Sequence, residues 1–317
     1  MGLGTLGYSY DAGGNITSIT KDGVLQESYT YDALNQLKTV TRGGVTTTYT
    51  YDAGENILSK TTGGTTIFYG YTDENWKDKL TSYNGDTITY DAIGNPLSYR
   101  DGMTFSWKYG RQLAAFIKTG ITATYKYDDS GVRTSKTVNG VTTNYYFAGS
   151  QALGQRSSDG SSVKYLMDVN GSIYGIYYMH RETDATRGDT YYFVYNAQGD
   201  VIGLYNYSGN LVASYSYDEW GNCTATALMP DTQNHAVTDQ KHVAFANPFR
   251  YRGYYFDAES GLYYLQSRYY DPVVGRFINA DSEIAGISDS VQGFNLFAYC
   301  FNNPVTVSYT HLRAHET

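Results

Sequence analysis

Apolar and polar positions alternate with a period of two through most of the chain, and clusters of Gly, Asn and Asp interrupt the alternation at regular intervals. In "YTYDAGENILSKTTGG", residues 49–64, Tyr49 and Tyr51 fall on one face of a strand and Thr50 on the other. Asp52 then opens "DAGEN", a turn in which a carboxylate can accept backbone N–H bonds two residues on, and Gly54 and Asn56 tolerate positive φ. "ILSKTT" predicts the return strand, and Gly63-Gly64 is a two-residue hairpin signal. Each unit is therefore two strands and two turns.

The unit recurs. Its second aromatic position falls at Tyr10, Tyr31, Tyr51, Tyr71, Tyr90, Tyr109 and Tyr127, with Phe147 and Tyr165 as looser members, in steps of 18–21 residues. The pattern returns at Tyr195 and Tyr217 after an insertion. A fixed period of this size governs the fold assignment. Roughly twenty antiparallel strands cannot lie in one flat sheet, because strand twist accumulates. The predicted class is all-β, a long coiled antiparallel sheet of hairpins with tyrosines filling the packed face. One short helix is expected near the C-terminus, residues 289–303, stopped before Pro304. Residues 224–248, which lack Tyr, read as a long loop.

Composition sharpens this picture. The 317 residues include 36 Tyr and 34 Gly but only 3 Trp, as strands joined by tight turns require. The net charge of −8 argues against a nucleic-acid surface. No apolar run reaches the ~20 residues of a membrane helix. "MGLGTLGYSYDAGG" carries no secretion signal, and a targeting segment is expected upstream. Cys223 and Cys300 are read as unpaired thiols.

Tyr-Asp-x-x-Gly-Asn units at this spacing resemble the YD repeats of the Rhs family of bacterial proteins. "YYFVYNAQGDVIGLYNYSGNLVASYSYDEWGN", "NPFRYRGYYFDAESGLYYLQSRYYDPVVGRFINADSE" and "NLFAYCFNNPV" resemble that family's C-terminal core. The resemblance covers residues 8–305 and is carried most specifically by residues 249–281. It implies a β-sheet spiralling into a hollow shell around a C-terminal toxin, with the core as a self-cleaving plug. The expected organisation is a repeat array at 1–190, a core-like region at 191–305 and an unrelated or artefactual tail at 306–317. Expected partners are the missing toxin domain and upstream repeats of the same protein, in a secreted or cell-surface setting; cell-surface glycans are the alternative partner. No cofactor or metal is expected.

Candidate chemistry centres on Asp271 and Asp281 in "RYYDPVVGRFINAD", with Arg268 and Arg276 as charge partners. Two carboxylates held together share a proton, leaving one acid and one base; self-cleavage by such a pair is what the resemblance implies. Acidic turn residues are abundant here, so spacing alone favours turn-capping aspartates. The family's Asp-Pro-x-Gly stretch after "NNPV" is replaced here by "TVSYTHLRAHET", so this chain is expected neither to cut itself nor to act as a toxin. Competing functions are an aromatic carbohydrate-binding repeat, weakened because Trp76, Trp107 and Trp220 do not recur in register, and an autoprotease. "GLGTLG" at 2–7 lacks the strand before it and the helix after it that dinucleotide binding needs. His311 and His315 beside Glu316, and "RGD" at 187–189, read as exposed terminus and loop. His180, His235 and His242 are read as loop residues.

Overall fold

The aspartates of the repeats build their own turns. Asp52 Oδ1 accepts from Gly54 N at 2.8 Å and Asn56 N at 2.9 Å, and Asn56 Nδ2 donates to Asp52 Oδ2 at 2.9 Å. The same carboxylate-to-i+2-and-i+4 cap recurs at Asp11, Asp32, Asp91, Asp128, Asp168 and Asp218. Local side-chain capping of this kind explains why the motif survives while its interior residues vary. At the other end of the unit Gly63 and Gly64 both have positive φ, 55° and 85°, as a tight hairpin with matching twist requires.

The computed structural model describes residues 3–180, 188–229, 236–237, 239, 241–281 and 295–308. The chain divides into two units, one of Met1–Leu3 with Ser106–Ser267, the other of Gly4–Phe105 with Arg268–Thr317. In the second, nine antiparallel strands from Leu6–Tyr10 to Asp86–Thr87 lie side by side in chain order. In the first, the strands from Gln112–Lys118 to Ala236–Val237 also follow chain order. Each unit ends in a short core hairpin, Tyr255–Asp257 with Leu262–Tyr264 in one and Tyr269–Asp271 with Arg276–Phe277 in the other. The all-β antiparallel expectation therefore holds. No helix among the described residues is long and apolar enough to cross a membrane.

Five repeats bury the first tyrosine of the pair, Tyr29, Tyr49, Tyr69, Tyr125 and Tyr215, while Tyr8 of the first repeat is half-buried. The ladder register shifts at the second tyrosine, between Thr50 and Tyr51 for example. Such a bulge re-aims the side chain. Tyr51 Oη donates to Leu37 O at 2.6 Å, Tyr31 Oη to Ile16 O at 2.7 Å and Tyr217 Oη to Val201 O at 2.6 Å. In each case the hydroxyl reaches the start of the preceding return strand, so one ring clasps two neighbouring repeats. Burial pushes the Tyr31 hydroxyl up to about 12 despite its bond to Thr306.

The structure departs from the sequence reading in four places. Tyr109 is no repeat tyrosine: it stands 89% exposed at φ 47°, because Gly110 follows it where an aspartate would cap the turn. In "DAGEN" the positive φ belongs to Glu55, at 64°. The segment read as a loop begins with the strand Cys223–Leu228 and contains the single helical turn Val243–Ala246, capped by His242 Nδ1 accepting from Ala244 N at 3.2 Å. The described part of the expected C-terminal helix is a short 3-10 turn, Cys300–Asn302, with positive φ at all three residues. Neither Cys223 nor Cys300 forms a disulfide. His235, His311, His315, Glu316 and Arg187 of "RGD" lie outside the described residues, as do Gly2 and residues 289–294 of the expected helix.

Candidate functional site: the buried carboxylates of the core

The hairpin 269–277 presents Asp271 at the end of its first strand, and Pro272 and Gly275 turn the chain back so that Asp271 pairs with Arg276 and Tyr270 with Phe277. Gly275 N donates to Asp271 O at 2.8 Å and Val273 N to Asp271 Oδ1 at 2.9 Å. The carboxylate is 0% exposed and receives a bidentate guanidinium: Arg100 Nε donates to Oδ2 at 2.7 Å and Nη2 to Oδ1 at 2.9 Å. Planar two-point pairing of this kind is the strongest form an ion pair takes. Arg100 also contacts Asp101 through Nη1. Burial alone would lower the Arg100 guanidinium, but the Asp271 charge and hydrogen bonds outweigh it, and its proton is held more tightly than usual.

Repeat tyrosines fix the loop of this hairpin. Tyr69 Oη donates to Val274 O at 3.1 Å and Tyr83 Oη to Val273 O at 3.3 Å, and the two rings meet edge to face. Burial, followed by Asp271 among the charges, pushes the Tyr83 hydroxyl up to about 12. These hydroxyls stay protonated near neutral pH and serve as donors.

Asp281 lies at the end of the returning chain. Its Oδ2 meets Arg268 Nη2 at 2.8 Å, and Arg268 stacks over the Phe277 ring at 3.5 Å from the centroid. Ile278 N donates to Tyr269 O at 2.9 Å, so "GRFINAD" does run back alongside its own start. Of the two sequence-predicted carboxylates, Asp271 thus lies in the hairpin and Asp281 four residues beyond its second strand, and they have different arginine partners, Arg100 for Asp271 and Arg268 for Asp281. Arg276 turns elsewhere: Nη2 donates to Asp78 O at 2.8 Å and to Asn295 Oδ1 at 3.2 Å.

The last described segment is held by asparagines that read the repeat turns. Asn295 Nδ2 donates to Asn56 Oδ1 at 2.9 Å, Asn302 Nδ2 to Glu55 O at 2.7 Å and Asn303 Nδ2 to Asn15 Oδ1 at 2.8 Å. Thr306 Oγ1 accepts from Ile16 N at 3.0 Å. Buried turn amides and carbonyls that would otherwise be orphaned are satisfied in this way.

The other unit carries a second buried carboxylate. Asp257, 0% exposed, receives Arg133 Nη1 at 2.6 Å and Nη2 at 3.0 Å, and Lys136 Nζ at 2.9 Å. Lys136 Nζ also bonds Glu259 Oε2 at 2.8 Å. Tyr125, Tyr145, Tyr255 and Tyr264 surround the Arg133 guanidinium, the Tyr264 centroid at 4.0 Å. Burial works to raise the Asp257 carboxyl, yet the Arg133 and Lys136 charges and their hydrogen bonds hold it below the usual range.

Sequence reasoning missed Arg100, Arg133 and Asp257. Arg133 had a signal: it stands at the first position of the return strand, where sibling repeats bury Ile16, Leu37, Ile57 and Val201. Asp257 also had one. Both core aspartates read Tyr-aromatic-Asp-x-x-x-Gly, with Gly261 and Gly275 at φ 74° and 75° where the repeats at Asp11, Asp52, Asp91 and Asp218 have Asn and none has Gly. Arg100, in the turn of a shortened unit 171 residues before its partner, had none.

A family model for the Teneurin YD-shell matches residues 3–305. The tRNA nuclease WapA of Bacillus subtilis strain 168 is 36% identical over 303 residues, spanning 90% of this chain and 11% of its own length. The tRNA3(Ser)-specific nuclease WapA of Bacillus spizizenii is also 36% identical, over 294 residues, with the same coverage. This chain therefore spans about a ninth of the curated relatives it matches. Among solved structures, the Photorhabdus luminescens Tc holotoxin pore aligns with TM-score 0.73 at 21% identity, over 96% of this chain and 16% of that one. The TcdB2-TccC3-Cdc42 crystal structure aligns with TM-score 0.72 at 21% identity, over 96% of this chain and 17% of that one. The strand-and-turn repeat, the two core hairpins and these matches together place the chain in the Teneurin YD-shell family, within the Rhs/YD-repeat class of shell proteins related to toxins.

Proposed function

We propose that this chain is a wall segment and anchoring core of a toxin-carrying shell. In this reading residues 1–190 form wall, and residues 191–305 form the core that closes onto it and leads toward a C-terminal toxin domain in an extracellular or cell-surface protein. The observation that carries the proposal is the way core residues complete the repeats: Arg100 on Asp271, Tyr69 and Tyr83 on the 273–274 carbonyls, and three asparagines on repeat turns. A core tied down at this many buried points resists being pulled away, as an anchor for a cargo domain must. The test is limited proteolysis of the full-length parent protein. The cargo domain should be digested at least tenfold more slowly in the intact protein than as an isolated domain. Equal rates would exclude encapsulation.

A second reading keeps self-cleavage by Asp271 and Asp281. It is supported by the return of the chain beside the first strand of the hairpin, Ile278 N donating to Tyr269 O, and by the pairing of Asp281 with Arg268, three residues before Asp271. A chain extended past Val305 by an Asp-Pro-x-Gly continuation should appear as two fragments, and Asp271→Asn or Asp281→Asn as one folded chain. If both variants are still processed and merely melt at lower temperature, the carboxylates are structural.

A further inference from the structure

Glu55 departs from most of its sibling turns. The residue three after the turn aspartate is Gly14, Gly94, Gly131, Gly171 or Gly221 in five of them, all at positive φ, and Asn35 at φ 61° in the sixth. Glu55 adopts φ 64°, a conformation that glycine takes without strain and a side-chain-bearing residue does not. Its side chain is nevertheless buried, the residue 2% exposed, and neither Oε1 nor Oε2 has a hydrogen-bond partner. A buried carboxylate without a donor is costly, and such a group neutralises instead of remaining charged.

Its position couples that cost to the core. Glu55 O holds Asn302 Nδ2, and its neighbour Asn56 holds Asn295. Gln36 Nε2 and Asn302 Oδ1 are likewise buried and unpartnered. We propose that Glu55 is a proton-operated latch: protonated, it lets residues 295–308 seat on the repeat turns, and its ionisation loosens that segment.

The surrounding charges all push one way. Burial raises the Glu55 carboxyl most, then the Asp32 carboxylate of the preceding turn and the Asp52 carboxylate of its own, to about 7. Lys77 offers this turn its carbonyl, accepting from Asn56 Nδ2 at 3.2 Å. The docked segment contributes the uncharged Asn295, Asn302 and Asn303, and the charged Arg276 and Asp78 meet that segment through Asn295 Oδ1 and Leu296 N. Because the seated value lies above the free carboxyl's 4.5, seating is strongest below that pH, weakens as pH climbs from there toward 7, and levels off above it.

The test is hydrogen exchange of peptides covering 295–308, corrected for intrinsic rate, from pH 4.5 to 8 in wild type, Glu55→Gln and Glu55→Gly. Glycine restores the sibling turn and keeps the experiment readable if glutamine disturbs folding. Wild-type protection should fall at least tenfold between pH 5 and 7 and then plateau, with both variants flat. A flat wild-type profile, or one that either folded variant reproduces, overturns the latch.

Discussion

Asp52 in a repeat and Asp271 in the core both directly follow a tyrosine at a strand end, Asp52 just past its strand and Asp271 as the last residue of its own, and both accept the amide two residues on. They then diverge. Four residues after Asp52 stands Asn56, whose amide and side chain occupy both carboxylate oxygens. Four residues after Asp271 stands Gly275, which donates to the main-chain carbonyl and leaves the carboxylate to Arg100. Asp257 followed by Gly261 repeats the exchange with Arg133 and Lys136. In both hairpins the amide of the glycine four residues on goes to the main-chain carbonyl, where every capped repeat turn sends that amide to the carboxylate, and the freed carboxylate takes up a distant arginine.

The two tethers also differ from one another. Around Asp257 two cations face two carboxylates, including Glu259, and aromatic rings enclose the guanidinium. Asp271 shares one guanidinium with Asp101. Removing one member of a buried pair leaves an uncompensated charge at a cost of about 3–5 kcal/mol. The largest effect is therefore expected from Asp257→Ala, which strands both Arg133 and Lys136. Urea unfolding should show a loss of about 4 kcal/mol, and a loss under about 1 kcal/mol would equate this aspartate with a turn cap.

A repeat aspartate should matter less. Asp52→Ala removes a cap comparable to a helix N-cap and is expected to lower stability by about 1 kcal/mol in the same assay. A cost matching that of Asp257→Ala would erase the distinction between repeat and core.

The tyrosine clasps set a smaller, pH-dependent difference. Tyr31, Tyr83 and Tyr195 all have hydroxyls raised to about 12, with burial the first cause. The folded state holds these protons more tightly than an unfolded chain near 10, so their contribution is intact below pH 10 and is lost as pH rises through 12. Absorbance at 295 nm should show a class of tyrosines ionising only with unfolding, and Tyr51→Phe should cost about 1 kcal/mol at pH 7.

The repeats were legible because their chemistry is local. A carboxylate, turn-forming residues and a pair of glycines within sixteen residues define strand, turn and hairpin, and the structure keeps these at Tyr49–Gly64, while the bulge at Tyr51 and the positive φ at Glu55 were not read. The return of "GRFINAD" is local in the same way, the chain turning through Pro272 and Gly275. Pairings across the chain were not. Arg100 meets Asp271 and Asn303 meets Asn15 only after the sheet has formed, and no spacing rule spans such separations. Arg133 is the intermediate case, an out-of-pattern residue in an otherwise apolar column whose partner is visible only in the fold.

The central claim, that a redirected aspartate tethers core to repeat, is tested most directly by a double-mutant cycle on Arg100→Met and Asp271→Ala, read by urea unfolding. The account predicts that each single substitution costs about 3 kcal/mol and that the double costs little more, a coupling of about 2–3 kcal/mol. Single costs that simply add, with coupling under about 0.5 kcal/mol, would show that the two residues act independently and would contradict it.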